Sequence, residues 1–211
     1  MPEPRSDALL WALRAWVGGR WRDGVVLRIG ADACWAEVIC DVHAAPQGAT
    51  ALAGPVLPGL VNAHSHAFQR AFAVMAERRE AESDDFWSWR DRMYGVALRI
   101  TPPQLRAVAA QLFVELLQGG YTQVCEFHYL QHQPDGSAYD DPATLSLALA
   151  DAADDVGIGL TVLPVLYERA GFSEPGLREQ QRRFATTPAS VHALCRTLNA
   201  AQRPRLNAGV A

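Results

Sequence analysis

The chain has 211 residues, of which 49% are hydrophobic and 20% are charged, a balance that is typical of a folded, water-soluble protein and unlike that of a disordered one. The formal net charge of −4 comes without a long basic run, which argues against nucleic acid and against an anionic membrane as partners. The four cysteines form no CxxC pair, and the apolar stretch Ala8 to Val17 is too short and too interrupted for an export signal, so we expect a cytoplasmic protein.

Residues 1–55 are predicted to form a small β-rich domain. Their short apolar runs, such as Val25 to Leu27 and Trp35 to Ile39, are separated by turn residues such as Asp23-Gly24. From Val56 onward, short apolar strands alternate with helical stretches, which is the pattern of βα units in a parallel sheet. We therefore expect a second domain over residues 56–211.

Start and stop signals define the elements of this second domain. The predicted strands are Leu60 to Ala63, Thr122 to Phe127, Ile158 to Leu166, and a last one that begins at Arg205 and reaches Ala211. The predicted helices run from Thr101-Pro102 to Gln118, from Asp141-Pro142 to Val156, and from Thr187-Pro188 to Asn199. Each helix begins with a capping residue followed by proline, and glycines at 119 and 157 end the first two.

The first of these strands ends in PGLVNAHSH, and its two histidines carry the clearest chemical signal in the chain. His64 and His66 are two residues apart, so on an extended strand both side chains point to the same face, about 6.5 to 7 Å apart at the backbone. Two imidazoles placed in this way can bind one metal ion, but an open catalytic site needs at least one more protein ligand. HxH also occurs by chance in polar loops. Its place at the carboxyl end of a parallel strand, where barrel enzymes keep their active sites, favours a metal site.

Four blocks of sequence, in order along the chain, resemble one known family. They are LPGLVNAHSHAFQRAF from Leu57, FWSWRDRMY from Phe86, GGYTQVCEFHYLQH from Gly119 and GIGLTVLPVLYERAGF from Gly157. From about Val56 to its end the chain is similar to the amidohydrolase superfamily and, within it, to the formimidoylglutamate deiminases of bacterial histidine degradation. The first 55 residues match only loosely.

The resemblance implies an α/β fold, namely a partial TIM-like (β/α)8 barrel of the metal-dependent hydrolase type, preceded by the small β-rich domain. A complete barrel of this kind needs about 250 residues, so residues 56–211 are expected to supply only its first three to four βα units. Family members place a further metal-binding His, a catalytic His and a metal-binding Asp on later strands, and a substrate-binding His and Arg soon after the fourth strand. None of these positions falls in this chain. We therefore expect no catalytic residue within it, and we expect a fragment that does not turn over substrate alone.

The implied reaction is a hydrolytic deimination. By the resemblance, His64 and His66 bind a divalent metal, with zinc as the expected ion, which activates a water molecule at neutral pH. The resulting hydroxide attacks the formimidoyl carbon of N-formimidoyl-L-glutamate, and the tetrahedral intermediate expels ammonia and leaves N-formyl-L-glutamate. The expected partner is thus a small molecule, with no nucleic acid and no membrane, and family members are expected to be homodimers.

The resemblance implies a substrate-binding role for three further residues, Gln69, Arg90 and Tyr129. Gln69 follows the second histidine by three residues, Tyr129 follows the second strand, and Arg90 lies among aromatic residues that can stiffen its guanidinium. A planar guanidinium pairs with carboxylate through two hydrogen bonds, which suits a dicarboxylate substrate. On sequence alone, each could instead be an ordinary surface or core residue. Glu126 and His128 share a face of the second strand, and we interpret them as support for the site rather than as metal ligands.

Two other interpretations stay open. HxH after PGLVN is shared widely across the superfamily, so a deaminase or chlorohydrolase that acts on a ring is a second enzyme hypothesis. The third hypothesis is a non-catalytic remnant, or a module that a second chain completes. Arg90 discriminates between the first two, because only a carboxylate-bearing substrate requires its charge.

Overall fold

The computed structural model describes residues 8–31, 34–73 and 86–211. The chain consists of two compact units, Met1–Pro58 and Gly59–Ala211. This division lies close to the boundary that the sequence predicts between residues 55 and 56. That each unit is an independent domain stays a prediction.

The first unit is a four-stranded sheet with the strand order β3-β2-β1-β4. Its strands are β1 (Leu9–Val17), β2 (Arg20–Ile29), β3 (Trp35–Ile39) and β4 (Thr50–Ala51). Strands β1 and β2 form an antiparallel hairpin, and the two glycines between them, Gly18 and Gly19, have φ angles of 59° and 78°. Glycine adopts this left-handed conformation without steric cost, which is why the turn can be this tight. The β-rich character predicted for this region is confirmed.

The second unit is built on a parallel sheet with the strand order β5-β6-β7-β8. The strands are β5 (Leu60–Ser65), β6 (Tyr121–His128), β7 (Gly159–Pro164) and β8 (Leu206–Ala208). Each strand pairs with the next in chain order, and helices connect them, as in the successive βα units of a barrel. The prediction of an α/β fold with a partial barrel is confirmed, and all carboxyl ends of the strands lie on one side of the sheet.

The described part of this unit contains four helices: α1 (Phe86–Ala97), α2 (Pro102–Gln118), α3 (Thr144–Val156) and α4 (Pro188–Ala200). Helix α2 has the predicted bounds, and Gln104 Oε1 accepts a hydrogen bond from the Thr101 backbone N–H at 3.0 Å. Helix α4 begins where Thr187 predicts, since its hydroxyl accepts from the Ser190 N–H at 3.1 Å. Local capping chemistry therefore fixes these helix starts.

Helix α3 begins later than the sequence predicts. Asp141 was expected to start it, but Pro142 and Ala143 form a turn in which Asp141 Oδ1 accepts from the Ala143 N–H at 2.8 Å. The helix proper starts at Thr144 and ends, as predicted, at Gly157, whose φ is 88°. An Asp side chain that bonds the backbone two residues ahead favours a turn, which here delays the helix.

Helix α1 and two short 3₁₀ segments, Ala67–Phe72 and Glu179–Phe184, were not predicted. The sequence interpretation treated the region around Arg90 as a short segment held by aromatic residues, whereas the structure shows a helix of three turns. The side chains of residues 86–88 lie outside the described part of the chain, so the expected contacts of Phe86 and Trp87 with Arg90 stay predictions.

The core of the second unit lies between the sheet and the helices. Fully buried residues come from strands (Val124, Leu160, Val162), from helices (Phe113, Leu149, Leu198) and from the segment that carries Phe184. Among residues 8–31, 34–73 and 86–211, no helix has both the length and the apolar character that crossing a membrane requires.

Candidate active site

The two histidines meet at the carboxyl end of β5. His64 lies in the strand and is exposed, and His66 follows the strand directly and is half-buried. Their Nε2 atoms are 3.0 Å apart, and the two rings are nearly perpendicular. The predicted convergence of the two imidazoles on one point is therefore seen in the structure.

This geometry fits a bound divalent cation. Two imidazole nitrogens that each lie about 2.0 to 2.1 Å from one ion are about 3 Å apart when they occupy neighbouring coordination positions. Within residues 8–31, 34–73 and 86–211, no third His, Cys, Asp or Glu joins them in a group that could hold an ion. The described chain thus presents two ligands of a site that needs at least one more.

The neighbouring strand fixes the orientation of His66. Its Nδ1 lies 3.0 Å from the carbonyl oxygen of Phe127, which can only accept, so Nδ1 carries the hydrogen and Nε2 keeps its lone pair. Burial lowers the pKa of His66, the nearby His64 acts in the same direction, and the Phe127 carbonyl opposes both. The imidazole is therefore neutral near pH 7, which is the form that binds a metal.

Glu126 and His128 are buried beneath the histidines. Glu126 Oε1 accepts a hydrogen bond from the backbone N–H of Ala67 at 2.6 Å, directly after His66. Burial raises the pKa of Glu126 to about 7, although the Ala67 N–H and the Ser65 hydroxyl oppose this. Burial, followed by the charge of Arg183, lowers the pKa of His128 to about 3. Glu126 thus fixes the backbone that carries His66, and His128 is a neutral core residue.

Gln69 and Tyr129, predicted from separate parts of the sequence, lie together in the structure. Gln69 belongs to the 3₁₀ segment that follows His66, and its Nε2 donates to the Tyr129 hydroxyl at 2.9 Å. The Tyr129 ring lies 5.1 Å from the His66 ring, centre to centre. Burial raises the pKa of Tyr129, so its phenol is neutral and can donate a hydrogen bond. His64, His66 and Gln69 border an open cavity of about 500 Å³.

Arg90 lies in helix α1 and is half-buried. Its guanidinium carbon lies 5.8 Å from the centre of the Tyr94 ring, one helical turn later. Of the aromatic residues that were expected to stiffen it, Trp89 packs against Phe72 with ring centres 6.0 Å apart. The guanidinium is thus positioned by a tyrosine that the sequence interpretation did not consider.

Comparison with known proteins identifies the family. The model of the amidohydrolase family matches residues 56–205 of this chain. The chain belongs to the amidohydrolase family. The match starts just before β5 and takes in both histidines and the three residues predicted to bind substrate.

Individual amidohydrolases are similar over larger parts of the chain. Formimidoylglutamate deiminase from Pseudomonas aeruginosa is 49% identical over 175 residues, which are 83% of this chain and 38% of that protein. The crystal structure of an amidohydrolase from Brucella melitensis is 37% identical with a TM-score of 0.85, and the match covers 96% of this chain and 45% of that one. The chain thus spans less than half the length of either relative.

A more distant structure shows the same fold. The zinc complex of an atrazine chlorohydrolase from Arthrobacter aurescens has a TM-score of 0.66 at 18% identity, and the match covers 96% of this chain and 46% of that one. At this level of identity the similarity shows the fold alone.

Several residues of this amidohydrolase that lie around the predicted substrate site were not predicted from the sequence. They are Tyr94, Phe127, Tyr167 and Gln181. Tyr167 could have been found from its position, because it follows β7 closely, as Tyr129 follows β6. Gln181 lies far along the chain in a segment without periodic pattern, and only the fold brings it to Tyr94 and Tyr167.

Proposed function

We propose that this chain supplies two parts of the active site of a formimidoylglutamate deiminase: a histidine pair for a divalent metal, with zinc as the expected ion, and a pocket for the substrate carboxylates. The reaction is hydrolysis of N-formimidoyl-L-glutamate to N-formyl-L-glutamate and ammonia. The observation that carries the proposal is the placement of the Gln69–Tyr129 pair against the ring of His66, which puts polar substrate-binding groups beside the metal ligands.

The histidines hold the metal side of the site. A divalent cation bound there would lower the pKa of a coordinated water to about 7 and so provide hydroxide at neutral pH. His66 contributes a nitrogen whose orientation the Phe127 carbonyl fixes, and Glu126 holds the backbone that follows it. The chain's own residues thus arrange the ligands before a metal arrives, which reduces the cost of assembling the site.

The other half of the site recognises the substrate. Arg90 offers a planar guanidinium that suits a carboxylate, and Tyr129 offers a neutral phenol. Gln69 holds the Tyr129 oxygen, so the phenol position is fixed. An acyclic substrate with two carboxylates can pair with the Arg90 guanidinium and accept a hydrogen bond from the Tyr129 phenol. A neutral ring substrate would offer no carboxylate to the Arg90 guanidinium.

The test is ammonia release from N-formimidoyl-L-glutamate by the full-length protein that contains this sequence. Replacement R90M should raise KM at least tenfold with a smaller change in kcat, because loss of a charged hydrogen-bond pair costs about 1.5 to 3 kcal/mol. R196M, which changes an exposed arginine of helix α4, is the matched control and should leave KM unchanged.

Other results would favour the other hypotheses. Turnover of a neutral ring substrate with no effect of R90M would point to a ring deaminase or chlorohydrolase. Absence of turnover with any amidine or ring substrate, by a protein that is folded and loaded with zinc, would point to a non-catalytic remnant. A homodimeric assembly and action in the cytoplasm remain further parts of the proposal.

A further inference from the structure

Three tyrosines form a cluster beside the candidate site, around the buried ring of Phe184. The ring centres of Tyr129, Tyr167 and Tyr94 lie 4.9, 5.4 and 6.1 Å from that of Phe184. Tyr129 and Tyr167 are also neighbours, with centres 6.3 Å apart. We call Tyr94, Tyr129 and Tyr167 the tyrosine cluster. They come from helix α1 and from the segments that follow β6 and β7, so three separate elements meet there.

Gln181 joins two members of the cluster. It is only 3% exposed, and its Nε2 lies 3.1 Å from the Tyr94 hydroxyl and 3.2 Å from the Tyr167 hydroxyl. Its Oε1 accepts from the backbone N–H of Arg178 at 3.0 Å. A backbone N–H can only donate, so the amide oxygen must face Arg178 and the amide nitrogen must face the tyrosines.

This orientation determines which way the two phenols can donate. Each phenol oxygen accepts a hydrogen bond from Gln181, so the hydrogen of each phenol has to point elsewhere. In the part of the chain that the structure describes, no hydrogen bond with Tyr94 or Tyr167 as the donor is seen. Buried phenols usually find an acceptor, so the donor of each phenol is available to an acceptor that lies beside the cluster.

Tyr167 is the member placed to reach such an acceptor. It is half-buried and borders an open cavity of about 530 Å³ at the carboxyl ends of the strands. Phe127 lines the same cavity, and its ring lies 5.2 and 5.4 Å from those of His64 and His66. Tyr167 therefore borders a cavity that shares the Phe127 ring with the surroundings of the candidate metal ligands.

The Arg90 guanidinium brings a positive charge to the tyrosine cluster. Its carbon lies 5.8 Å from the centre of the Tyr94 ring, and Gln181 joins the Tyr94 hydroxyl to the Tyr167 hydroxyl. Burial raises the pKa of Tyr167, which keeps the phenol neutral and able to donate. The cavity edge also carries Glu168 and Arg169, both exposed, which together add no net charge. A guanidinium and a neutral phenol donor side by side are the groups that bind a carboxylate.

We propose that Tyr167 is a further substrate-binding residue, which donates its phenol hydrogen to a carboxylate held by Arg90, and that Gln181 is the positioning residue that directs this bond. The choice of a carboxylate rests on the proposed function. A purely structural Gln181 would need only to fill space and cap Arg178, whereas this role requires its amide N–H to donate to the phenol.

The test is calorimetric titration of the zinc-loaded full-length protein with N-formyl-L-glutamate, a probe that needs no turnover. Y167F should weaken binding roughly tenfold, as loss of one hydrogen bond to a charged group does. The control Y121F changes a half-buried tyrosine at the opposite, amino end of β6 and should leave the affinity within twofold. Thermal unfolding of each variant checks that it folds.

Gln181 is tested with Q181M and Q181E. Q181M keeps the shape and removes the donor, and it should also weaken binding roughly tenfold. Q181E reverses the hydrogen bond, because the phenol must then donate to the carboxylate of residue 181, and it should weaken binding at least as much. Q131M is the matched control, since Gln131 is a buried glutamine whose amide donates to the His128 carbonyl instead of to a tyrosine. If Gln181 acts through Tyr167, adding Q181M to Y167F costs little more.

The outcomes separate this inference from the proposed function. Weaker binding of N-formyl-L-glutamate in R90M, Y167F and Q181M supports both the proposed function and the role of Tyr167 and Gln181. Loss of binding in R90M with unchanged affinity in Y167F overturns the role of Tyr167 and leaves the Arg90 pocket standing. If the unchanged protein does not bind N-formyl-L-glutamate, the inference is overturned, and ammonia release from the amidine then reports separately on the reaction.

Discussion

The histidine pair and the tyrosine cluster lie near each other but are built in opposite ways. His64 and His66 are two residues apart at the carboxyl end of one strand, and His64 is exposed. The tyrosine cluster draws on three separate elements and is held by the buried side chains of Gln181 and Phe184 in the segment Glu179–Phe184. The metal side is therefore local in sequence and incomplete within the described residues, whereas the substrate side depends on the whole fold of the second unit.

This difference has an energetic consequence. His64 contributes little to the folded state because its side chain is exposed, whereas His66 is half-buried and contributes one hydrogen bond to the Phe127 carbonyl. Residues that hold the tyrosine cluster are part of the core, so changes there should cost stability as well as affinity.

Arg183 should have the largest effect on stability. It is fully buried and donates to the backbone carbonyls of Ala97, Ile100 and His132, which ties the end of helix α1 to the segment after β6. R183M leaves these acceptors without a donor and should lower the free energy of unfolding by about 4 kcal/mol. Urea unfolding measures this. The exposed-site variant R196M should change the value by less than about 0.5 kcal/mol, and an equal loss in both variants would contradict the prediction.

Glu126 should make stability depend on pH. Its pKa is raised from 4.5 to about 7 in the folded chain. Between pH 4.5 and pH 7, Glu126 is therefore ionised in the unfolded state but still protonated in the folded state, so the free energy of unfolding falls as the pH rises. The fall should be about 3 kcal/mol and should be complete above pH 7. E126Q keeps the acceptor for the Ala67 N–H and stays neutral, so its stability should lack this fall. Unfolding of both proteins at pH 4.5 and pH 8 measures the difference, and identical pH profiles would contradict it.

The exposed member of the histidine pair should control metal binding and leave stability unchanged. H64A should weaken zinc binding at least a hundredfold, because one imidazole cannot replace two. Competition with a zinc-binding dye gives the affinity, and unfolding without metal should shift by less than about 0.5 kcal/mol. H192A removes an exposed histidine of helix α4 and serves as the control. Equal zinc affinity in H64A and H192A would show that the pair is not the metal site.

The smallest expected effect on the free energy of unfolding is at Gln69, which lies between the histidine pair and the tyrosine cluster. Q69M removes one partly buried hydrogen bond to Tyr129 and should cost about 1 kcal/mol of stability. A free energy of unfolding within error of the unchanged protein would mean that Tyr129 is held by its ring contacts alone.

The sequence predicted the parts of the molecule that depend on neighbours along the chain. The pairs Thr101 with Gln104 and Thr187 with Ser190 act within a few residues, and the helix starts that they cap are found where predicted. Gly157 likewise ends helix α3 where predicted, although that helix starts later than expected. His64 and His66 were found for the same reason, since their spacing on a strand decides their geometry.

The parts that the sequence did not predict depend on distant contacts. Arg90 is positioned by Tyr94, and Tyr94 in turn by Gln181, which is 87 residues further along the chain. Such a contact leaves no periodic pattern. The roles of Gln69, Arg90 and Tyr129 came from family resemblance and stay predictions, although the structure brings Gln69 and Tyr129 into direct contact.

The most direct test is a crystal structure of the full-length protein with zinc and N-formyl-L-glutamate. The account predicts zinc bound to the Nε2 atoms of His64 and His66, with a ligand carboxylate in contact with the Arg90 guanidinium and the Tyr167 hydroxyl. Zinc bound elsewhere, or a carboxylate that touches neither Arg90 nor Tyr167, would contradict it.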